Sequence, residues 1–212
     1  MHILKNLFIV VFLSFLFSIK GEAQTTEQSD FSGLKKCTVF SAGDDNVNSY
    51  RIPSLLTTKD GTLLVFCEAR RDSWRDKSRT DIVVKRSEDT GKTWSVMQDL
   101  TQGITGAYMD PTPILDSITG RIFLFTTFWP SEDHSGTKNR AILITSDDNG
   151  KTWSSPVDVT STIIPAGYHI VGFGPGAGLQ MSGKQFKERL VLPTRVVDSE
   201  RKSAHNVAIY SD

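Results

Sequence analysis

The sequence predicts an all-β fold in which four-stranded antiparallel units repeat along the chain, an arrangement typical of β-propeller blades. Two observations carry this prediction. A turn motif of the form S-x-D-x-G-x-T-W occurs at 87–94 and again at 146–153. Runs of β-branched and aromatic residues, separated by short glycine-containing turns, precede each copy and follow the second. After the apolar N-terminal segment, no helical periodicity of useful length interrupts them.

Three strand-turn-strand patterns define the repeating units, and they cover residues 51–66, 111–125 and 176–193. A third strand is predicted after each of them, at 82–86, 141–145 and 207–210. The tryptophan of each turn motif is expected to begin a fourth strand. The third unit stops at the opening of a third turn motif, so we expect an incomplete chain of roughly two and a half blades.

The repeated turn motif is interpreted as structural. Thr90-Gly91 and Asn149-Gly150 supply the positive φ angles that a tight hairpin needs. The central aspartate is expected to accept hydrogen bonds from turn N–H groups, and the tryptophan to bury its ring beneath the hairpin. The ligand spacing of a helix-flanked calcium loop is missing, so the acidic pairs do not predict a Ca²⁺ site.

The N-terminal segment is interpreted as a secretory signal. Lys5 precedes an almost wholly apolar run at 7–19, and Gly21 and Ala23 are small residues at the cleavage-defining positions, which predicts a cut after Ala23. The run is too short for a confident membrane span, although an uncleaved anchor stays open as the alternative. Export to the periplasm, the medium or the cell surface is therefore expected, without stable membrane insertion.

The remaining organisation follows from this cut: a signal peptide at 1–23, a polar linker at 24–36, and the N-terminal part of the propeller at 37–212. Export makes a disulfide between Cys37 and Cys67 possible, and two free thiols remain an equal alternative.

Composition excludes several function classes. The chain has 24 Lys and Arg against 24 Asp and Glu, so it carries no basic footprint for nucleic acid. Its four histidines lack metal-ligand spacing, and no metal or cofactor is predicted. The glycine-rich run 172–178 lacks the Lys-Ser/Thr and the helix of a phosphate loop. It is expected to enter the inner strand of the third unit, where glycine permits close backbone packing.

Two arginines flank the first predicted hairpin. Arg51 stands directly before Ile52-Pro53 at the start of the first strand, and Arg70 ends the second strand, so both guanidinium groups are expected to reach one rim. Arginines at strand ends are usually solvated, which is the alternative. The neighbouring loop carries Asp76, and this combination of charges favours a site.

These features together resemble the exo-sialidase (neuraminidase) family of six-bladed propellers. The resemblance rests on the Y-R-I-P motif at 50–53, the E-A-R motif at 68–70, the loop aspartate after it and the two turn motifs, which resemble the family's Asp boxes. It runs from about Cys37 to Asp212. Asp boxes alone are only moderately specific, because they occur in unrelated propellers, but the Arg-Ile-Pro motif joined to them is much more specific.

The resemblance implies roles for the charged residues. Arg51 matches the first of three arginines that grip the substrate carboxylate, a task that suits bidentate guanidinium pairing. Arg70 matches an arginine lining the pocket for the 4-hydroxyl of the sugar. Asp76 matches the aspartate that acts first as general acid and then as general base. Asp72 is the alternative acid from the same loop, and Asp81 is interpreted as structural.

The resemblance also implies roles for residues of the second unit. Met109 and Asp110 belong to a segment that contacts the N-acetyl group of the sugar. Trp129 is a possible wall of the same pocket, with plain core packing as an equal alternative.

The implied function is exo-α-sialidase activity, which removes terminal sialic acids from glycoproteins, glycolipids or oligosaccharides with retention of configuration. Sialidases use a Tyr nucleophile rather than a carboxylate. That tyrosine, its Glu partner and two further arginines are expected later than Asp212, so the fragment is expected to be inactive alone. The alternative function is a non-catalytic propeller that binds glycan or protein. Linkage preference and oligomeric state are not predicted.

Overall fold

The protein was analysed as a computed structural model that describes residue 33, residues 36–103 and residues 105–211. The predicted signal peptide and nearly all of the predicted linker lie outside these residues. Among those described, no helix is long and apolar enough to cross a membrane. Residues Cys37–Asp212 form one compact unit.

Antiparallel strands follow one another in sequence order, as the repeats predict. The first sheet contains β1 (Ser49–Thr57), β2 (Leu63–Arg70), β3 (Thr80–Ser87) and β4 (Gln98–Asp99). The second contains β5 (Gly106–Leu115), β6 (Ile122–Pro130), β7 (Arg140–Ser146) and β8 (Val157–Asp158). The third contains β9 (Tyr168–Phe173), β10 (Leu179–Gln180), β11 (Leu190–Asp198) and β12 (Ala204–Tyr210). The described helices are short: a 3-10 turn at Asp44–Asn46 and α1 at Thr160–Ile163. The predicted all-β class is confirmed.

The first and second sheets are joined at their edges into one eight-stranded sheet, the third is a separate sheet, and all three pack through shared apolar clusters. A parallel pairing of Thr80 with Ala107 joins the first sheet to the second. Apolar side chains of β2 and β3 form one core cluster with those of β6 and β7, and a second cluster joins β5 and β7 to β9 and β11. The sheets therefore stack side by side around shared cores, as propeller blades do.

The two inner strands β1 and β5 contain bulges, which corrects the predicted strand starts. Pro53 and Pro111 were predicted to open strands, but each lies inside one, where the pairing register shifts. A bulge leaves a position unpaired, so a residue without an N–H is tolerated there. The residues before the prolines, Ile52 and Asp110, adopt φ values of 52° and 56°. The second unit therefore begins at Gly106, ahead of the predicted start at 111.

The prediction that each motif tryptophan begins a fourth strand is wrong. β4 begins at Gln98 and β8 at Val157, several residues after Trp94 and Trp153. The Trp153 ring lies edge-on to Phe66, with 5.6 Å between ring centroids. Packing of the indole under the turn directs the chain into an irregular segment before pairing resumes.

The inner strand of the third sheet is divided, so the predicted unit 176–193 covers only part of it. β9 and β10 both pair with β11, and the glycine-rich segment lies between them. The predicted close packing is confirmed at Gly178, where an added Cβ would lie 2.5 Å from Ile114 Cδ1 and 2.9 Å from the Val191 carbonyl oxygen.

The turn motifs have the predicted hydrogen bonds. The Asp89 carboxylate accepts the backbone N–H groups of Lys92 and Thr93 at 3.0 and 2.9 Å, and the Thr93 hydroxyl at 2.6 Å. Asp148 accepts the N–H and the hydroxyl of Thr152 in the same way, at 2.8 and 2.5 Å. The bonds from Thr93 first of all hold the pKa of Asp89 well below its ordinary value.

Both cysteines are free thiols. Cys67 is buried in β2, and Cys37 is exposed. Burial, with a smaller contribution from the Glu68 charge, raises the pKa of Cys67 to about 12. The Cys67 thiol therefore stays protonated and unreactive at neutral pH.

Gly178→Ala should destabilise the chain by about 1–3 kcal/mol, because the new methyl group overpacks the contact between β5 and the third sheet. The measurement is urea unfolding of wild type and variant. Gly183→Ala is the matched control, since an added Cβ there would meet only the Gln185 carbonyl oxygen, at 3.8 Å. It should change stability by less than about 0.5 kcal/mol. Equal effects of the two substitutions would contradict the close-packing interpretation.

Candidate active site

A cavity of about 520 Å³ lies where strands of the three sheets meet. All six residues singled out in the sequence line it: Arg51, Arg70, Asp76, Met109, Asp110 and Trp129. They come from β1, β2, the loop 71–79, β5 and β6, so the fold brings together residues that lie far apart in sequence.

Arg51 and Arg70 reach the cavity from neighbouring strands. In the antiparallel β1–β2 pair, Arg51 lies opposite Glu68 and Ser49 opposite Arg70. The two guanidinium groups have different environments. The Arg51 side chain is 45% exposed, whereas that of Arg70 is only 1% exposed. Both side chains therefore line the same rim of the cavity, but only the Arg70 side chain is buried.

Asp76 lies between the two arginines. Its Oδ1 is 2.7 Å from Arg70 Nη1 and 3.4 Å from Arg51 Nη1. Arg70 Nη1 also donates to the Trp74 carbonyl oxygen at 2.7 Å, which ties the loop 71–79 to the end of β2. The Asp76 side chain itself is 68% exposed at the cavity mouth. The arrangement is a pair of cations converging on one carboxylate that solvent can reach.

Glu68 is a cavity residue that the sequence reasoning did not assign. It is fully buried, and its Oε2 accepts Arg70 Nε and Nη2 at 3.0 and 2.6 Å. Burial raises the pKa of Glu68, and the hydrogen bonds from the Asp110 N–H and from Arg70 offset part of this effect. Burial alone would lower the pKa of Arg70, but the hydrogen bonds and charges of Glu68 and Asp76 raise it. The sequence did contain a signal for this ion pair, because Glu68 and Arg70 are residues i and i+2 of one strand and therefore share a face.

Asp110 approaches the same group from the second sheet. Its backbone N–H donates to Glu68 Oε1 at 3.0 Å. Burial, followed by the charges of Glu68 and Asp76, raises the pKa of the Asp110 carboxyl to about 7, with Arg70 opposing them. Met109, the preceding residue, is 5% exposed. At mildly acidic pH the Asp110 carboxyl group is therefore uncharged.

Trp129 forms the wall between the second and third sheets. Its indole Nε1 donates to the Val171 carbonyl oxygen at 3.1 Å. Lys77 Nζ lies 4.7 Å from the centroid of the ring, a cation–π contact that reaches from the loop 71–79 to β6. The ring thus contacts the cavity, the third sheet and the loop that carries Asp76.

The third sheet supplies lining residues that the sequence reasoning left unassigned. Arg195 and Thr194 of β11, and Gly172 and Phe173 of β9, line the far side of the cavity. A Cβ at Gly172 would lie 2.7 Å from Asp110 Oδ2, so the glycine leaves room for that carboxyl group. These residues carry no local signal, because their proximity to the site depends on packing between sheets.

The two other aspartates near the loop lie outside the cavity lining. Asp81 accepts Arg71 Nε at 2.8 Å and also the Gly103 N–H, which agrees with its predicted structural role. Asp72 is exposed. Within the described ranges, no group of three or more His, Cys, Asp or Glu side chains is arranged to hold a metal ion.

Comparison with known proteins shows the family of the chain. Residues 52–212 match the BNR repeat-like domain. The chain belongs to the sialidase family of BNR-repeat proteins. It is 33% identical over 182 residues to a sialidase of Bacteroides fragilis (strain YCH46), a match that covers 76% of this chain and 32% of that protein. It is 31% identical over 197 residues to a sialidase of Paraclostridium sordellii, covering 84% of this chain and 48% of that protein.

Solved structures give the same result. The Hadza microbial sialidase Hz136 is similar to this sialidase-family chain with a TM-score of 0.72 and 29% sequence identity. The match covers 81% of this chain and 37% of the other. The chain thus spans about a third to a half of the length of these sialidases. The likeness supports the propeller-type arrangement of the predicted sheets.

Asp110→Asn should make the chain more stable at alkaline pH. The pKa of Asp110 is raised from 3.8 to about 7 by folding, so the folded chain retains a proton that the unfolded chain releases between these values. The free energy of unfolding therefore falls as pH rises through this interval. Asparagine does not titrate, so the variant lacks this decrease. Its free energy of unfolding should exceed that of wild type by as much as about 4 kcal/mol above pH 7, and the difference should vanish below about pH 4.

Urea unfolding at pH 4, 6 and 8 measures this effect. Asp60→Asn is a control whose effect should stay nearly constant from pH 4 to 8, because hydrogen bonds, first from Thr58, hold the pKa of Asp60 at about 2. Its contribution is present above its unfolded pKa and is lost as pH falls through 2. A stability difference for Asp110→Asn that does not change with pH would contradict the assigned environment.

Proposed function

We propose that this chain supplies the N-terminal part of an exo-α-sialidase, which removes terminal sialic acids from glycoconjugates with retention of configuration. In this proposal the whole protein is a six-bladed propeller, and the chain contributes roughly its first two and a half blades. The tyrosine nucleophile, its glutamate partner and two further arginines belong to the rest of that protein. The chain alone is then expected to show no turnover.

The observation that carries the proposal is the convergence of Arg51 and Arg70 on one carboxylate at the cavity mouth. A guanidinium group pairs with a carboxylate in a fixed planar geometry, so the half-exposed Arg51 at the cavity mouth suits a substrate that is itself a carboxylate. A terminal sialic acid is such a substrate. Arg51 is the more exposed of the two and is proposed to contact the substrate carboxylate, whereas Arg70 borders the pocket for the 4-hydroxyl.

Asp76 is proposed to be the proton donor. It lies on an exposed loop at the cavity mouth, where the leaving group of an exo-acting enzyme departs. A protonated Asp76 delivers its proton to the glycosidic oxygen while the bond from that oxygen to the sugar breaks. The resulting carboxylate then takes a proton from the water that completes hydrolysis. General acid–base catalysis of this kind requires only hydrogen-bond reach, which an exposed loop permits.

The second sheet is proposed to hold the body of the sugar. Met109 and Asp110 are proposed to contact its N-acetyl side, with Trp129 as the wall beside them, and the support is that all three line the cavity. The substrate class is sialylated glycoproteins, glycolipids or oligosaccharides. Because such substrates are extracellular or on cell surfaces, the proposal includes export by the N-terminal signal to the periplasm, the medium or the cell surface.

Asp76→Asn in the whole protein should reduce turnover selectively. Asparagine keeps the size and polarity of the side chain but cannot deliver a proton, and general acid catalysis contributes about 10²–10⁴-fold. The loss should reach this range for a sialyl-galactose linkage, which has a poor leaving group. It should be much smaller for an activated aryl sialoside, whose leaving group needs little protonation. Values of kcat/KM for the two substrates give the measurement.

Asp72→Asn is the matched control from the same loop, and it should show neither effect. Equal loss on both substrates for Asp76→Asn would argue against the proton-donor role and favour Asp72. Absence of any sialoside turnover by the whole protein, with glycan binding retained, would instead favour a non-catalytic propeller.

Arg51→Lys should lower kcat/KM by about 10–150-fold, which corresponds to losing a charge-assisted contact of about 1.5–3 kcal/mol. Stability should change little, because the side chain is about half exposed. Arg121→Lys is the control: Arg121 is 48% exposed and makes a bidentate pair with Asp147, at 2.6 and 2.8 Å, on an outer turn. A similar loss of activity for both variants would show that Arg51 has no special contact with substrate.

A further inference from the structure

We propose that Glu68 is a positioning residue: its buried carboxylate orients Arg70 toward the loop that carries Asp76 and fixes the backbone of Asp110 in the neighbouring sheet. The catalytic part of this inference rests on the proposed function of Asp76. The structural part rests only on contacts within the described chain.

Glu68 accepts hydrogen bonds from two directions. Its Oε2 accepts both Nε and Nη2 of Arg70, and its Oε1 accepts the backbone N–H of Asp110 at 3.0 Å. Every one of these hydrogen bonds uses the carboxyl group as an acceptor, which fits the ionised form. The side chain has no exposed surface. It therefore has no access to bulk solvent from which to replace a lost donor.

These contacts determine which way Arg70 presents its remaining N–H groups. With Nε and Nη2 held by Glu68, the plane of the guanidinium group is fixed, and Nη1 is directed to the Trp74 carbonyl and to Asp76 Oδ1, each at 2.7 Å. Arg70 thus connects the buried Glu68 carboxylate to the exposed loop 71–79. Without Glu68, a buried guanidinium would keep only loop contacts and would be free to turn.

The contact with Asp110 joins the first sheet to the second at a strained position. Asp110 adopts a φ of 56° where the register of β5 shifts. Non-glycine residues persist in this region only where surrounding contacts hold them there. The Glu68 carboxylate accepts the N–H of that residue, so it stabilises the bulge that brings Met109 and Asp110 to the cavity.

The next residues in the chain provide a matched comparison. Asp81 accepts Arg71 Nε at 2.8 Å and the Gly103 N–H, so it also combines an arginine with a backbone donor from a later segment. Asp81 is 6% exposed, and neither Asp81 nor Arg71 lines the cavity. Asp81→Asn therefore removes the carboxylate charge from an ion pair outside the cavity. Glu68→Gln removes it from a comparable ion pair within the cavity lining.

The first experiment is NMR on the 212-residue chain, recording backbone amide and arginine Nε–H signals. Glu68→Gln should shift the Arg70 Nε–H and Asp110 amide signals and speed their exchange with water, and it should leave those of Arg71 and Gly103 in place. Asp81→Asn should do the reverse. Unchanged Arg70 and Asp110 signals in Glu68→Gln would overturn the proposal, whether or not the protein is an enzyme.

The second experiment measures kcat/KM of the same variants in the whole protein. Misplacement of a catalytic group by about 1 Å costs on the order of 10²-fold. Glu68→Gln should therefore lower turnover of a sialyl-galactose linkage by about 10²-fold more than that of an aryl sialoside, because Asp76 is misplaced. Asp81→Asn should lower neither selectively. Equal losses on the two substrates would refute the positioning role.

Two further outcomes are distinguishable. If Glu68→Gln does not fold, Glu68→Asp keeps the charge but is too short to reach both partners, so it should perturb either the Arg70 or the Asp110 signal; perturbation of neither would overturn the proposal. If the wild-type whole protein turns over no sialoside, the proposed function fails, while the NMR comparison still decides whether Glu68 holds Arg70 and Asp110.

Discussion

The site depends on two breaks in the inner strands. At Ile52-Pro53 and at Asp110-Pro111 the register shifts, and the residue before each proline takes a positive φ. Such a conformation costs about 1–3 kcal/mol for a non-glycine residue, and the residue before proline otherwise prefers extended backbone. Regular strands would alternate their side chains between two packed faces. The breaks release Arg51 and Asp110 from that alternation and direct them to the cavity.

Contacts between the sheets compensate for this strain. Ser54 and Thr112, which follow the two prolines, donate their hydroxyl groups to the carbonyl oxygens of Gly176 and Gly174, the latter at 2.7 Å. The segment can accept both because Gly174 and Gly176 have no side chains to separate the strands. The two strained bulges are therefore held in place by hydrogen bonds to glycines of the third sheet. The cavity is enclosed only where three sheets approach closely.

This dependence on contacts between sheets explains which features the sequence predicts. Hairpins and Asp-box turns are local: strand patterns alternate with period two, and Thr90-Gly91 or Asn149-Gly150 supply the positive φ angles. Six lining residues were found through the family resemblance, since a motif keeps residue types together in sequence. The prolines were misplaced to strand starts because a bulge is visible only in the pairing. Arg195 was left unassigned because its place in the cavity lining depends on packing between sheets. Glu68 shares a strand face with Arg70, but its bond from the Asp110 N–H comes from a residue distant in sequence.

The charges of the cavity impose a last constraint on what it binds. Glu68, Asp76 and Asp110 surround Arg70, so full ionisation would leave an anionic substrate facing three carboxylates. Glu68 is neutralised by its pair with Arg70, and Asp110, with a pKa of about 7, is uncharged in the acidic range. In that range Arg51 provides positive charge at the cavity mouth. Ionisation of Asp110 opposes anion binding as pH rises through 7.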